Sequence, residues 1–223
     1  MKNHNIQIAE DYFNKGLEKH EIQDFEGAIE AYSKALEINP ELEEGYNNRG
    51  LVKASINDFN GAIDDYTTAI QLVPTFKEAY YNRGLSLVHV HDYSGAITDF
   101  SKALEIDPDY FKAYNNRAAA RGVLKDYSGL IDDFSKLIEI NPLDACAYYN
   151  RGLTKCNLDD YDGAIEDFSM ALNIDPMYGL AYFNRGCIKL LMFGMKDSGC
   201  EDLEMAKNLG VEGVEKVIRK YTN

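Results

Sequence analysis

Every proline in the chain falls on one beat of 34 residues: Pro40, Pro74, Pro108, Pro142 and Pro176. An asparagine keeps the same beat at Asn14, Asn48, Asn82, Asn116, Asn150 and Asn184. Around it the chain reads Tyr46-Asn47-Asn48-Arg49-Gly50, Tyr80-Tyr81-Asn82-Arg83-Gly84 and Tyr182-Phe183-Asn184-Arg185-Gly186. A fixed period of this length means stacked supersecondary units, each unable to bury its apolar face without its neighbours. The fold is therefore tightly constrained, while the function depends on what the stacked surface carries.

One unit can be numbered so that its proline is position 32, which makes the first unit 9–42. Tyrosine at position 4, arginine at 7, glycine or alanine at 8 and residues such as Lys53 and Leu87 at 11 lie three and four apart. That spacing places them along one helical face. Asp24, Asp58, Asp92, Asp126 and Asp160 follow at position 16. Aspartate there accepts from the free N–H groups that open a second helix. In the third unit the second helix carries Ala96, Phe100, Ala103 and Ile106 at helical spacing. Proline then sits past the helix end, where it stops further winding.

This pattern resembles the tetratricopeptide repeat, a 34-residue helix–turn–helix with small residues at 8, 20 and 27, an aromatic near 24 and proline at 32. The resemblance implies an all-α fold, a right-handed α-solenoid of about six repeats plus a C-terminal capping helix. The expected layout is an N-terminal extension over 1–8, repeats over 9–42, 43–76, 77–110, 111–144, 145–178 and 179–210, and the capping helix over 211–223. The sixth repeat carries one extra residue in Gly194–Gly199, so Cys200, Asp202, Leu203 and Ala206 resume the pattern one place late. In the tail, Val214, Val217, Ile218 and Tyr221 share a face, and Glu212, Glu215, Lys216, Arg219 and Lys220 supply the polar outer surface a terminal element needs.

Arg49, Arg83, Arg117, Arg151 and Arg185 at position 7 are matched by Asp65, Asp99, Asp133 and Asp167 at position 23 and by the shifted Asp202. The first repeat has Lys15 and Ala31, losing both together. This correlation argues for a structural ion pair between helices.

The asparagines at position 6 point away from that packing face, with positions 2, 9 and 13 beside them. In the tetratricopeptide family the first helices line a concave groove, so the resemblance puts the asparagines inside it. An amide both donates and accepts, so it can hold another chain's backbone whatever its sequence. Asparagines at this position do so in the repeat domain of O-linked GlcNAc transferase and in the peroxisomal import receptor. The alternative is that they bridge neighbouring first helices without a ligand. At position 5, Tyr81 and Tyr149 either form side-chain pockets for a peptide or pack between repeats. At position 2, Glu10, Glu44 and Glu78 make the N-terminal half acidic, whereas Lys112, Cys146 and Leu180 follow. A chaperone-binding subfamily clamps a C-terminal carboxylate with lysine, asparagine and arginine. Glutamate at position 2 and asparagine at position 6 argue against that ligand here.

The net charge of −14 disfavours nucleic acid and anionic membrane surfaces, both of which call for a basic stripe. No apolar run of transmembrane length is present, and the start lacks the apolar core of a secretory signal. A cytoplasmic location is expected. Cys146, Cys156, Cys187 and Cys200 form no C-x-x-C pair and read as packing residues. No phosphate loop, zinc-protease motif or nucleophile elbow occurs, and His89 and His91 fall on different helix faces. The expectation is a non-catalytic scaffold or adaptor, with no cofactor and no metal. It binds an extended peptide or partner helix, basic in character, in an asparagine-lined, partly acidic groove, as a monomer or weak homo-oligomer. The alternative is a self-assembling module that stacks end to end.

Overall fold

The computed structural model describes the backbone of residues 2–222 and the side chains of residues 5–220. Among the described residues there are thirteen helices and no strand, so the chain is an all-α helical repeat. It divides into two compact units, Met1–Leu124 and Lys125–Asn223, with the division inside the fourth repeat. The first unit holds α1 (Lys2–Glu21), α2 (Phe25–Ile38), α3 (Glu43–Ser55), α4 (Phe59–Leu72), α5 (Lys77–His89), α6 (Tyr93–Ile106) and α7 (Phe111–Val123). The second holds α8 (Tyr127–Ile140), α9 (Ala145–Cys156), α10 (Tyr161–Ile174), α11 (Gly179–Leu191), α12 (Lys196–Asn208) and α13 (Val214–Thr222). No helix among the described residues is long and apolar enough to cross a membrane.

The helix boundaries follow from local chemistry. Asp24, Asp58, Asp92, Asp126 and Asp160 each cap a second helix by accepting from the N–H three residues on. That residue is glycine each time, and at Gly27 a Cβ would stand 2.5 Å from the Asp24 carboxylate. The residue before each cap turns the chain through the left-handed region, at Gln23 (φ 61°), Asn57 (64°), His91 (63°), Lys125 (58°) and Asp159 (58°). None of the five is glycine, so each turn carries local strain. At the other end, Asn39, Val73, Asp107, Asn141 and Asp175 are extended and precede the proline, whose ring excludes helical geometry from its predecessor.

Small residues let the helices of a pair close on a large ring. Tyr32, Tyr66, Phe100 and Phe168 at position 24 are fully buried, beside Ala28, Ala62, Ala96 and Ala164. Burial of one such ring is worth roughly 2–3 kcal/mol. At Gly84 a Cβ would meet the Phe100 ring at 2.7 Å, which explains glycine at position 8.

The sixth repeat behaves as its inserted residue implies. Gly194 takes a φ of +65°, α12 starts at Lys196 without a side-chain cap, and Asp202 still reaches Arg185. Helix α13 lays Val214, Val217 and Ile218 on Leu190, Leu203 and Ala206, with Glu212, Glu215, Lys216, Arg219 and Lys220 exposed. Tyr221, expected on the same face, lies outside the described side chains.

Candidate functional site

What aims the first helices is a clamp built from three repeat positions. Arg49 Nε and Nη2 donate to the two carboxylate oxygens of Asp65 at 2.9 and 2.6 Å, while its Nη1 donates to the Ser33 hydroxyl at 3.0 Å. Arg83 holds Asp99 and Thr67 in the same way, Arg151 holds Asp167 and Ser135, and Arg185 holds Asp202 and Ser169. Each guanidinium also lies over the position-4 tyrosine of its own helix, 5.6 Å from the Tyr46 ring and 5.7 Å from the Tyr80 ring. One arginine thus ties its own helix pair to the second helix of the preceding repeat. Pairing with Asp99 raises the Arg83 pKa, and pairing with Asp167 raises that of Arg151. The bidentate fork fixes orientation as well as charge. The hydroxyl partners at position 25 were not singled out from sequence, although Ser33, Thr67, Ser101, Ser135 and Ser169 keep the same beat as the prolines.

With the clamp on one side, position 6 faces the other way. Within the first unit, the Asn82 amide donates to Asn47 Oδ1 at 3.1 Å, and the Asn116 amide donates to the Tyr81 hydroxyl at 3.0 Å and to the Lys112 carbonyl at 2.9 Å. Within the second, Asn184 repeats this with the Tyr149 hydroxyl at 3.0 Å and the Leu180 carbonyl at 3.0 Å. The bridging arrangement between neighbouring first helices is therefore present for Asn82, Asn116 and Asn184: position 5 of the preceding repeat accepts from each of them. It spends the N–H groups only. Among the described residues, none of the six asparagines at position 6 accepts a hydrogen bond on its side-chain oxygen. Asn14 is exposed, and Asn48 and Asn150 are half-buried.

Tyr81 and Tyr149 are drawn into this packing. The Tyr81 ring lies 5.8 Å from Phe100 and 5.0 Å from Tyr110, and the Tyr149 ring 5.6 Å from Phe168 and 4.7 Å from Tyr178. Burial raises both phenol pKa values, with the asparagine hydrogen bond pulling the other way. Their rings fill space between repeats, and their hydroxyls hold the next asparagine in place.

Glu10, Glu44 and Glu78 are exposed on α1, α3 and α5, one turn before Asn14, Asn48 and Asn82. Between α3 and α5 a depression of about 260 Å³ is lined by Leu51, Asn82, Leu85, Ser86 and His89, with Phe59 and Tyr66. His89 stacks flat on Phe59, 4.2 Å between centroids, which gives this histidine a packing role. The depression sits beside the Asn82 amide and offers apolar wall next to a hydrogen-bond acceptor.

The motif described as TPR repeat matches residues 16–56 and 53–88, and that described as Tetratricopeptide repeat matches 78–110 and 145–178. Together they span more than half of the chain, and the chain belongs to the tetratricopeptide repeat family. As a class these repeats are protein–protein interaction modules, typically without catalysis. No curated protein matches the chain. Among solved structures, that of MamA protein is 27% identical with a TM-score of 0.70, over 76% of this chain and 93% of that one. YrrB, described as a TPR protein with an unusual peptide-binding site, is 24% identical with a TM-score of 0.72, over 86% of this chain and 99% of that one. The first TPR of Spaghetti (RPAP3), bound to the HSP90 peptide SRMEEVD, is 24% identical with a TM-score of 0.52, over 53% and 94%. At these identities the last two show the shared fold alone.

Proposed function

We propose that the first-helix face binds an extended peptide by its main chain, with the asparagine side-chain oxygens accepting from peptide N–H groups. The observation that carries this reading is the division of labour in the amides of Asn82, Asn116 and Asn184. The N–H groups of Asn82 and Asn116 in the first unit, and of Asn184 in the second, are fixed by the repeat scaffold, which leaves unfilled acceptors in each unit. Holding an acceptor in one rotamer before binding lowers the entropy a ligand must offset. Glu10, Glu44 and Glu78 add a negative edge to the first unit, which favours lysine- or arginine-bearing segments. The depression beside Asn82 takes an apolar side chain of the same peptide. Two relatives in fold are described with peptides or a peptide-binding site, which is consistent with this use of the scaffold.

The test is an array of immobilised extended peptides probed with the wild-type chain and with Asn82→Ala/Asn116→Ala. The wild type should capture basic sequences preferentially, and the variant should keep its helical circular dichroism while losing them. Equal capture by both proteins would overturn the proposal.

A further inference from the structure

In the second repeat one buried carboxylate serves two cations: Asp65 lies 2.6 Å from Arg49 and 2.8 Å from Lys53. The fifth and sixth repeats build the same triad around Asp167 and Asp202. In the first repeat the corresponding positions read Lys15, Lys19 and Ala31. Both cations remain, and the carboxylate between them is gone. Ala31 is buried, and the cation over the position-4 ring is Lys34, 5.8 Å from the centre of Tyr12.

At these positions lies a cleft of about 130 Å³ lined by Tyr12, Lys15, Lys19 and Lys34, with Gly27, Glu30 and Ala31. The third repeat has a depression in the same place, but there it holds the paired Arg83 and Asp99. Lys19 is paired with Asp24 at 2.7 Å and Lys34 with Glu30 at 2.6 Å. Lys15 makes no ion pair or hydrogen bond among the described residues, apart from a weaker attraction to Glu30. The lining thus holds three lysines and one carboxylate, Glu30, while Asp24 pairs with Lys19 and Glu37 attracts Lys34 from outside it, which leaves Lys15 without an ion pair. The space is below the roughly 300–1,000 Å³ typical of small-molecule sites. It suits a single side-chain carboxylate.

We propose that this cleft takes one aspartate or glutamate side chain from a partner protein, in the place where the other repeats supply their own. The site is separate from the peptide face, since none of its residues stands at position 2, 5 or 6 of the repeat. A lysine pair grips less directionally than the arginine fork of the other repeats, so the contact is a weak, charge-specific anchor.

The experiment titrates the full chain with the blocked tripeptide Ac-Gly-Asp-Gly-NH2 at constant ionic strength, read by nitrogen-edited proton NMR. The amides of Lys15, Lys19 and Ala31 should shift and saturate with a dissociation constant of roughly 1 mM. Lys15→Arg/Ala31→Asp, which rebuilds the internal triad, should bind about tenfold more weakly or not at all and should melt higher than wild type. Lys15→Gln/Lys19→Gln, which leaves Ala31 in place, should lose the response as well. Unchanged binding in either variant, or equal shifts with Ac-Gly-Asn-Gly-NH2, would overturn the proposal. Saturation by inorganic phosphate at lower concentration than by the aspartyl peptide would overturn the assignment to a carboxylate.

Discussion

Asp65 and Asp99 are buried almost equally, at 4% and 3% exposure, yet they are held by different numbers of cations. Asp65 has Arg49 and Lys53, whereas Asp99 depends on Arg83, because position 11 of its repeat is Leu87. Removing the arginine partner strands a buried charge in one case and not in the other. Arg83→Leu should cost about 3–5 kcal/mol. Arg49→Leu should cost about 1.5–3 kcal/mol, the loss of charged hydrogen bonds alone. Adding Leu87→Lys to Arg83→Leu should restore part of the difference, as denaturant midpoints would report. Equal costs for the two arginines would mean that the lysine contributes nothing. Tyr32 offers a second test. Its hydroxyl is buried with no hydrogen-bond partner among the described residues, and burial pushes its pKa from near 10 to about 12. The folded chain therefore keeps a proton that the unfolded chain sheds above pH 10. Stability is intact below that pH and declines as pH climbs toward 12. Tyr32→Phe should be neutral or stabilising by about 1 kcal/mol at pH 7 and should lose less stability than wild type over the alkaline range. Parallel pH profiles for the two proteins would contradict this.

At the scale of the element, the turn inside each repeat is strained. Left-handed geometry costs a residue with a Cβ about 1 kcal/mol or more, and asparagine least. Gln23→Gly and Lys125→Gly should therefore each raise stability by up to about 1 kcal/mol, and Asn57→Gly by less, measured by thermal unfolding. A loss of stability at Gln23 would show that its side chain has a role the geometry does not reveal. This turn was illegible in the sequence because position 15 varies (Gln, Asn, His, Lys, Asp) and lacks the glycine that usually marks positive φ. The capping aspartates, the prolines and the Arg–Asp pairs were legible, because each depends on a residue type that recurs at a fixed spacing. The asparagines were half legible. Their beat shows that they share a face, but the partner that Asn82, Asn116 and Asn184 each find on another helix lies 35 residues earlier and changes from Asn47 to Tyr81 to Tyr149. Only the backbone arrangement reveals that different side chains perform one task.

At the scale of the whole molecule, the proposed peptide binding joins surface charge to the asparagine acceptors. In the proposed binding mode, the acidic residues of the first unit would attract a basic segment over about a Debye length, which is ~10 Å at 0.1 M salt and ~3 Å at 1 M. Affinity for a basic peptide should fall by about tenfold or more over that range if the glutamates contribute, while a neutral peptide should lose little. Salt-independent binding of a basic peptide would remove Glu10, Glu44 and Glu78 from the account. Self-assembly through the terminal repeats is judged by light scattering over a concentration range, where a constant monomer mass would exclude end-to-end stacking. Acceptance of peptide N–H groups by the asparagine oxygens is tested by backbone N-methylation of the peptide, which removes the donors and leaves every side chain in place. Calorimetric titration of a captured basic peptide and its alternately N-methylated form should show the methylated form binding wild type about tenfold or more weakly. That loss should bring it near the affinity of the unmodified peptide for Asn82→Ala/Asn116→Ala. Undiminished binding of the N-methylated peptide in every methylation register would contradict the account.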